Sequence, residues 1–194
     1  CGNHDQAVMF EPYNFNAGAE RASFWTRTQF EAEKDKAVRD RRWGCMGNLP
    51  VIYRTEDMIF VHGSPRRPVN EYLFPEDVYT NPAKIAANFE RMDRKICFVG
   101  HTHVPGVFSP DPYFDPPDEL PEPRVYTLGL TPVIINVGSV GQPRDRDTRA
   151  SYVIRDGDRI EFIRVEYDIE KVVRKIHDIP ELDDFLGNRL LDGR

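Results

Sequence analysis

The architecture of this chain is indicated most clearly by residues 96–103, Ile96-Cys97-Phe98-Val99-Gly100-His101-Thr102-His103. Four consecutive apolar residues are typical of a buried strand, and the glycine that follows lets the backbone turn sharply. Two histidines, two positions apart, come directly after that turn. Ligands of open α/β sheets bind outside the carboxyl ends of the strands, where loops leave polar side chains around a crevice. We therefore expect a functional site just beyond this strand.

Two other apolar runs stop in the same way, at polar residues beside glycine. Met58 to Val61 ends in His62-Gly63, and Val133 to Ile135 ends in Asn136-Val137-Gly138-Ser139. The chain also opens with a glycine-flanked histidine, in Gly2-Asn3-His4-Asp5. Four of the five histidines thus lie in such motifs, and only His177 falls on an apparent helix. We expect the four to converge.

The chemistry of these side chains indicates a metal site. Imidazole nitrogen suits zinc, iron, nickel and manganese, and the Asn3 carbonyl oxygen would add a harder ligand. His101 and His103 form the strongest single signal, although they need not bind the same ion. Taken singly, each motif also has a plainer interpretation as a turn or as a hydrogen-bonded histidine at a strand end. Their joint occurrence favours a mixed nitrogen and oxygen site for a divalent cation.

The rest of the chain predicts one α/β domain over residues 1–194, with mixed sheets and a helical tail from about 168 to 194. Helices are expected over about 18–42 and 80–92. Hairpins are expected at 51–62 and at 151–165, the second through Asp156-Gly157. Residues 106–124 contain six prolines and five acidic residues, which predicts an exposed, stiff loop.

The amino-acid composition disfavours some classes of binding partner. The 26 basic and 32 acidic residues give a formal charge of −6, which disfavours non-specific binding to nucleic acid or to an anionic membrane. The longest apolar runs are far shorter than the roughly 20 residues that span a bilayer. Three cysteines are too few for a disulfide scaffold, and we expect reduced thiols and a cytoplasmic protein.

In their order along the chain, Gly-Asn-His-Asp, Val-His-Gly, Gly-His-Thr-His and Asn-Val-Gly-Ser make this sequence resemble the calcineurin-like metallophosphoesterases. It looks closest to small bacterial members related to diadenosine tetraphosphatase and protein phosphatases. The resemblance implies a four-layer αββα sandwich. It also implies a hydrolase of phosphoric esters, with a small phosphorylated substrate such as a nucleotide.

The same resemblance assigns roles to individual residues. Asn3, His62 and His101 would hold one divalent cation, and His103 would help to hold a second. Manganese, iron, zinc and nickel all remain open as the metals. A hydroxide bridging the two ions would attack phosphorus in line.

Two further residues receive catalytic roles from the resemblance. His4 would contact the scissile phosphate and protonate or stabilise the leaving oxygen, and Asp5 would orient the His4 ring. Separately, Arg144 lies beside the expected pocket and is a candidate for binding substrate.

The sequence departs from the family pattern at its beginning. The family's Asp-x-His motif and its Gly-Asp motif, whose aspartate bridges both ions, normally precede Gly-Asn-His-Asp, and neither precedes it here. The missing residues could lie upstream of Cys1, arrive on a separate chain, or be truly absent. The start at a cysteine favours the first explanation. If they are absent, the alternative function is a catalytically inactive, protein-binding platform of the same fold. The oligomeric state stays open.

Overall fold

The structure, a computed structural model, describes all residues from Cys1 to Arg194. Its nine strands form two sheets. The strands are β1 (Ile52–Arg54), β2 (Met58–Val61), β3 (Ile96–Val99), β4 (Gly106–Ser109), β5 (Tyr113–Asp115), β6 (Val125–Thr127), β7 (Val133–Asn136), β8 (Ala150–Asp156) and β9 (Arg159–Val165). The large sheet has the order β1-β2-β3-β7-β4-β5, and the small sheet has the order β6-β9-β8.

The large sheet is mixed, as the sequence predicts. Strands β2, β3 and β7 run parallel, while β1, β4 and β5 are antiparallel to their neighbours. The three parallel strands are those that end in His62, Gly100-His101 and Asn136-Val137. Their carboxyl ends therefore meet at one edge of the sheet, and both predicted hairpins, β1–β2 and β8–β9, are also present.

Seven α-helices and one 3₁₀ helix surround the sheets. They are α1 (Asn3–Met9), α2 (Ala17–Glu31), α3 (Lys36–Gly47), α4 (Asp77–Thr80), α5 (Pro82–Phe89), α6 (Ile169–His177), α7 (Asp184–Asn188) and the 3₁₀ helix Arg189–Asp192. Side chains of Asn16, Asp35, Asn81 and Asp168 accept backbone N–H groups at the starts of α2, α3, α5 and α6, which satisfies donors that a helix leaves unpaired. No helix combines the length and apolar character needed to cross a bilayer.

The apolar composition of β3 follows from its position between two layers. Cys97 and Val99 face a cluster that includes Val78 of α4 and Ile85 of α5. Ile96 and Phe98 face the opposite cluster, which includes Ile160 and Phe162 of β9 in the small sheet. Because successive side chains alternate between the faces of a strand, a strand covered on both faces is apolar throughout. The structure thus confirms the α/β sandwich.

One local expectation is wrong, and one plainer alternative does not hold. The Gly2-Asn3-His4-Asp5 motif is not a simple turn, because helix α1 begins at Asn3. Residues 106–124 are not one exposed loop, because β4 and β5 lie within them and Val107 and Phe108 are fully buried. Phe114 of β5 packs on Phe108, with ring centroids 4.7 Å apart. The proline-rich composition conceals these short strands, because the prolines stand mainly in the turns that follow them.

A buried carboxylate braces the loop that follows β2 and His62. Glu71 is 9% exposed and accepts hydrogen bonds from Ser64 Oγ at 2.6 Å, Asn88 Nδ2 at 2.9 Å and Arg66 Nη2 at 2.5 Å. Burial alone would raise the pKa of Glu71, but the hydrogen bonds from Arg66, Ser64 and Asn88 outweigh it and the pKa is lowered. The loop is therefore tied to α5 through a charged, satisfied network.

Glu71→Ala should lower the free energy of unfolding by about 1–3 kcal/mol, because it leaves buried donors unpaired. Because folding lowers the Glu71 pKa, this contribution is present above about pH 4.3 and is lost as the pH falls below that value. Urea denaturation at pH 7 measures the effect. Glu90→Ala, at an exposed position that ends α5, is the control and should stay within about 0.5 kcal/mol of wild type. Equal stability of the two variants would contradict the bracing role.

Candidate metal centre and active site

The parallel pairing of β2, β3 and β7 brings the predicted motifs together. The Gly100 N–H donates to the His62 carbonyl at 2.9 Å, and the Val137 N–H donates to the Val99 carbonyl at 3.0 Å. The pairing of neighbouring strands thus continues into the residues beyond their ends. His62 and His101 leave the sheet side by side, with ring centroids 4.7 Å apart.

Three donor atoms meet at this point. His62 Nε2 lies 2.9 Å from Asn3 Oδ1 and 3.0 Å from His101 Nδ1. Donor atoms about 3 Å apart have the spacing of neighbouring ligands at right angles around a cation with bonds of about 2.1 Å. Two imidazoles and an amide oxygen are a donor set that suits a first-row divalent cation.

The electrostatic surroundings keep both rings neutral at pH 7. Burial lowers the pKa of His62 to about 4, partly offset by the charge of Asp5. Burial and the neighbouring His62 lower the pKa of His101 to about 3. A neutral imidazole retains a nitrogen lone pair, which a metal ligand requires.

His103 is oriented by a carbonyl group. Its Nδ1 lies 2.7 Å from the Gln142 backbone oxygen. A carbonyl only accepts hydrogen bonds, so Nδ1 carries the proton and Nε2 keeps its lone pair. Burial and the charge of Arg144 lower the pKa of His103 to about 4. Such a partner on the other ring nitrogen is typical of a histidine that binds a metal.

The loop that carries both histidines has an unusual backbone. His101 and His103 both have φ of +63°, a left-handed conformation that costs free energy for residues other than glycine. Asn136 holds the loop in place, because its Nδ2 donates to the Gly100 carbonyl at 2.8 Å and to Thr102 Oγ1 at 2.7 Å. Asn136 is fully buried. The Asn-Val-Gly-Ser motif therefore positions the histidines.

Helix α1 presents Asn3 in its first turn. A Cβ on Gly2 would lie 3.1 Å from His62 Nδ1, so glycine permits the close approach of this turn to His62. At the other end of α1, Arg27 of α2 donates to the carbonyls of Val8 at 2.8 Å and Ala7 at 3.0 Å. Arg27 thus satisfies acceptors that the helix end leaves free. Nothing in the sequence pattern indicated this role.

The contact that Asp5 makes is different from the one that the resemblance implies. Its Oδ2 accepts the Gly2 N–H at 2.7 Å and completes a cap at the start of α1. No hydrogen bond joins Asp5 to the His4 ring. Its charge partly offsets the lowering of the pKa of both His4 and His62. In this structure Asp5 therefore acts on the site by holding the α1 turn and through its charge; its role toward the His4 ring stays a prediction.

His4 lies on the solvent side of this cluster, on α1 directly after Asn3. Its ring packs beside Phe15, with centroids 4.6 Å apart. Desolvation of the ring lowers the pKa of His4, and the charge of Arg144 lowers it further. Gln142 Oε1 accepts from Arg144 Nε at 2.9 Å, which orients that guanidinium. The structure thus brings His4 and Arg144 together, as the sequence predicts.

The residues present supply three candidate donors for one cation and one for a second. Histidine, cysteine and carboxylate side chains form no group of three that could hold a metal, because the third donor beside His62 and His101 is the Asn3 amide oxygen. His103 is the one predicted ligand that this chain offers to a neighbouring ion.

No family model matches the chain. The uncharacterized protein MJ0912 from Methanocaldococcus jannaschii is 35% identical over 204 residues, which cover 100% of this chain and 74% of that protein. The crystal structure of a metallophosphoesterase from Sphaerobacter thermophilus is also 35% identical and superposes with a TM-score of 0.78, covering 100% of this chain and 75% of that one. The chain belongs to the calcineurin-like metallophosphoesterases.

A second solved structure supports the fold of this metallophosphoesterase. The hypothetical protein PH1004 from Pyrococcus horikoshii superposes with a TM-score of 0.70, covering 100% of this chain and 71% of that one. Its identity is 16%, so this likeness bears on the fold alone. The fold and family that the motifs predict are confirmed.

Removing either imidazole should weaken metal binding. We expect His62→Ala and His101→Ala each to reduce the affinity for Mn²⁺ by more than about tenfold, since second-shell changes alone cost about 10- to 100-fold. Calorimetric titration of chelator-treated protein measures this. His177→Ala is the matched control, because His177 is exposed on α6. Unchanged affinity in His62→Ala and His101→Ala would show that this cluster is not the ion site.

Proposed function

We propose that this metallophosphoesterase hydrolyses phosphoric esters with two divalent cations bound at the ends of β2, β3 and β7. The observation that carries the proposal is the position of His4. It lies next to the Asn3–His62–His101 donor cluster and near Arg144, at the solvent-facing side. A group that can donate a proton thus stands directly beside donors that suit a cation.

The ligands divide unequally between the two cations. Asn3, His62 and His101 would hold the first, and His103 would offer its Nε2 lone pair to the second. When bound, the two ions offset the charge on phosphoryl oxygens and lower the pKa of a water molecule. Manganese, iron, zinc and nickel all suit this mixed donor set.

The remaining polar groups act on the substrate. His4 donates a hydrogen bond to the leaving oxygen as the neutral imidazole, the form that its lowered pKa favours at pH 7, and gives up a proton to it only from the imidazolium form. Arg144 binds an anionic group of the substrate on the His4 side of the site, through guanidinium N–H groups that do not face Gln142. Asp5 fixes the first turn of α1 through Gly2, and so holds Asn3 and His4 at the site. The substrate is a small phosphorylated molecule.

The competing function is a platform that binds a protein partner without catalysis. An exposed, acidic and proline-rich segment at 106–124 would offer such a partner a docking site, but β4 and β5 place the first half of that segment in the large sheet. The exposed part is correspondingly shorter. A platform also has no use for His4 beside the ion ligands. Elemental analysis of the full-length protein separates the two functions: about two metals per full-length chain support the hydrolase, and none supports the platform.

His4→Ala should lower kcat for 4-nitrophenyl phosphate by about 10²- to 10⁴-fold, the range of general acid catalysis. Metal content should stay at the wild-type value, because His4 is not a ligand. Both quantities are measured on one preparation loaded with Mn²⁺, with His177→Ala as the control. A fall in kcat together with loss of metal would show that His4 holds the ion. An unchanged kcat would remove His4 from the reaction.

A further inference from the structure

A cavity of about 440 Å³ opens beside the catalytic histidine. Asn3, His4 and Arg144 form its side nearest the proposed ions, and the C-terminal tail closes the opposite side. The tail contributes apolar side chains from α6 and α7 and one charged residue, Arg189. The cavity is therefore where the leaving group of a substrate would lie.

The charge of this cavity is opposite to that of the whole chain. The chain has 32 acidic against 26 basic residues, yet no aspartate or glutamate lines the cavity. Its polar lining consists of His4, two arginines and uncharged groups such as Asn14 and Gln142. Among protein side chains, such a lining of donors without carboxylates suits an anion.

Neither of the two arginines pairs with an acidic side chain. Arg144 and Arg189 form no ion pair with an aspartate or glutamate, whereas Arg164 and Arg149 nearby are both paired with Asp147. Arg144 donates two N–H groups to Gln142 Oε1. Arg189 Nε donates to the oxygen of Arg194, the last residue of the sequence, at 2.5 Å. The outer donors of both guanidinium groups stay available to a ligand.

The tail is fastened in this position at two points. Asp183 Oδ2 accepts from Arg21 Nη2 of α2 at 2.9 Å. The Gly193 carbonyl accepts a hydrogen bond from the N–H of Arg146 at 3.0 Å. Arg146 follows Arg144 by two residues. Arg189 is thereby held beside the loop that carries Arg144. The charge of Arg189 lowers the pKa of Arg144, after burial as the larger cause, and a bound anion would relieve this repulsion.

We propose that Arg144 and Arg189 form a second anion subsite, so that the preferred substrate carries a further phosphate on its leaving group. The apolar side of the cavity, formed by residues such as Ile176, Leu182 and Leu186, receives the body that joins the two phosphates. This inference rests on the proposed function. The proposed role of His4 at the leaving oxygen is what identifies this cavity as the place of the leaving group.

The test compares aromatic probes that differ only in the second phosphate. Phenyl phosphate carries one, and 1,3- and 1,4-phenylene bisphosphate carry two at different spacings. For wild-type protein loaded with Mn²⁺, we expect one or both bisphosphates to have a kcat/KM about tenfold or more above that of phenyl phosphate. A tenfold ratio corresponds to the free energy that one charged hydrogen bond contributes. Arg189→Ala should reduce this ratio to near one, and Arg189→Lys should retain part of it.

Arg174→Ala is the matched control, since Arg174 lies in the same tail, 64% exposed, and does not line the cavity. Its ratio should equal that of wild type. Calorimetric binding of the same probes to metal-free protein gives a readout independent of turnover. Wild type should bind a bisphosphate more tightly than phenyl phosphate, and Arg189→Ala should lose the difference.

The outcomes separate the subsite from the reaction itself. Hydrolysis of all probes with a ratio near one, or a ratio unchanged in Arg189→Ala, overturns the subsite and leaves the hydrolase standing. An equal fall for all probes in Arg189→Ala shows a structural role of the arginine and also overturns the subsite. Tighter binding of a bisphosphate without any hydrolysis supports the subsite and contradicts the hydrolase.

Discussion

The site depends on the meeting of three donor atoms from distant parts of the chain. His62 Nε2 lies within 3.0 Å of both Asn3 Oδ1 and His101 Nδ1. Two imidazoles and a buried amide bring three atoms that can carry lone pairs to one point, without a carboxylate among them. The pKa values of about 4 and about 3 for the two rings keep both imidazoles neutral at pH 7, so each ring has one N–H and one lone pair. In the absence of a metal, an N–H on His62 Nε2 can bond to Asn3 Oδ1 or His101 Nδ1; a divalent cation would replace these hydrogen bonds and accept a lone pair from each of the three atoms.

Much of the surrounding structure holds these atoms in place. The left-handed backbone of His101 and His103 costs free energy, and Asn136 offsets it by binding Gly100 and Thr102 from the neighbouring strand. Arg27 closes the end of α1, so that the first turn stays in position. Such devices keep ligands within the narrow tolerances that ion binding and catalysis require. The bracing residues are less conspicuous in the sequence than the ligands they support.

The sequence predicted those parts that follow from local pattern. The apolar run of β3 predicted a strand covered on both faces, and its Gly-His-Thr-His ending predicted the place of the site, because ligands bind at the carboxyl ends of such strands. Helix α1 and strand β4 were missed, because partners outside their own segment, Arg27 and β7, hold them; β5, which pairs with β4, was missed with it. The role of Arg189 was missed for the same reason: an arginine in a tail has no signal until the fold places it beside Arg144.

Anomalous diffraction from crystals soaked in Mn²⁺ tests the central claim most directly. The account predicts a manganese peak about 2.0–2.4 Å from Asn3 Oδ1, His62 Nε2 and His101 Nδ1, with His103 Nε2 turned toward a neighbouring ion position. A crystal in which the three atoms stay in direct contact, with manganese absent or bound elsewhere, would contradict it.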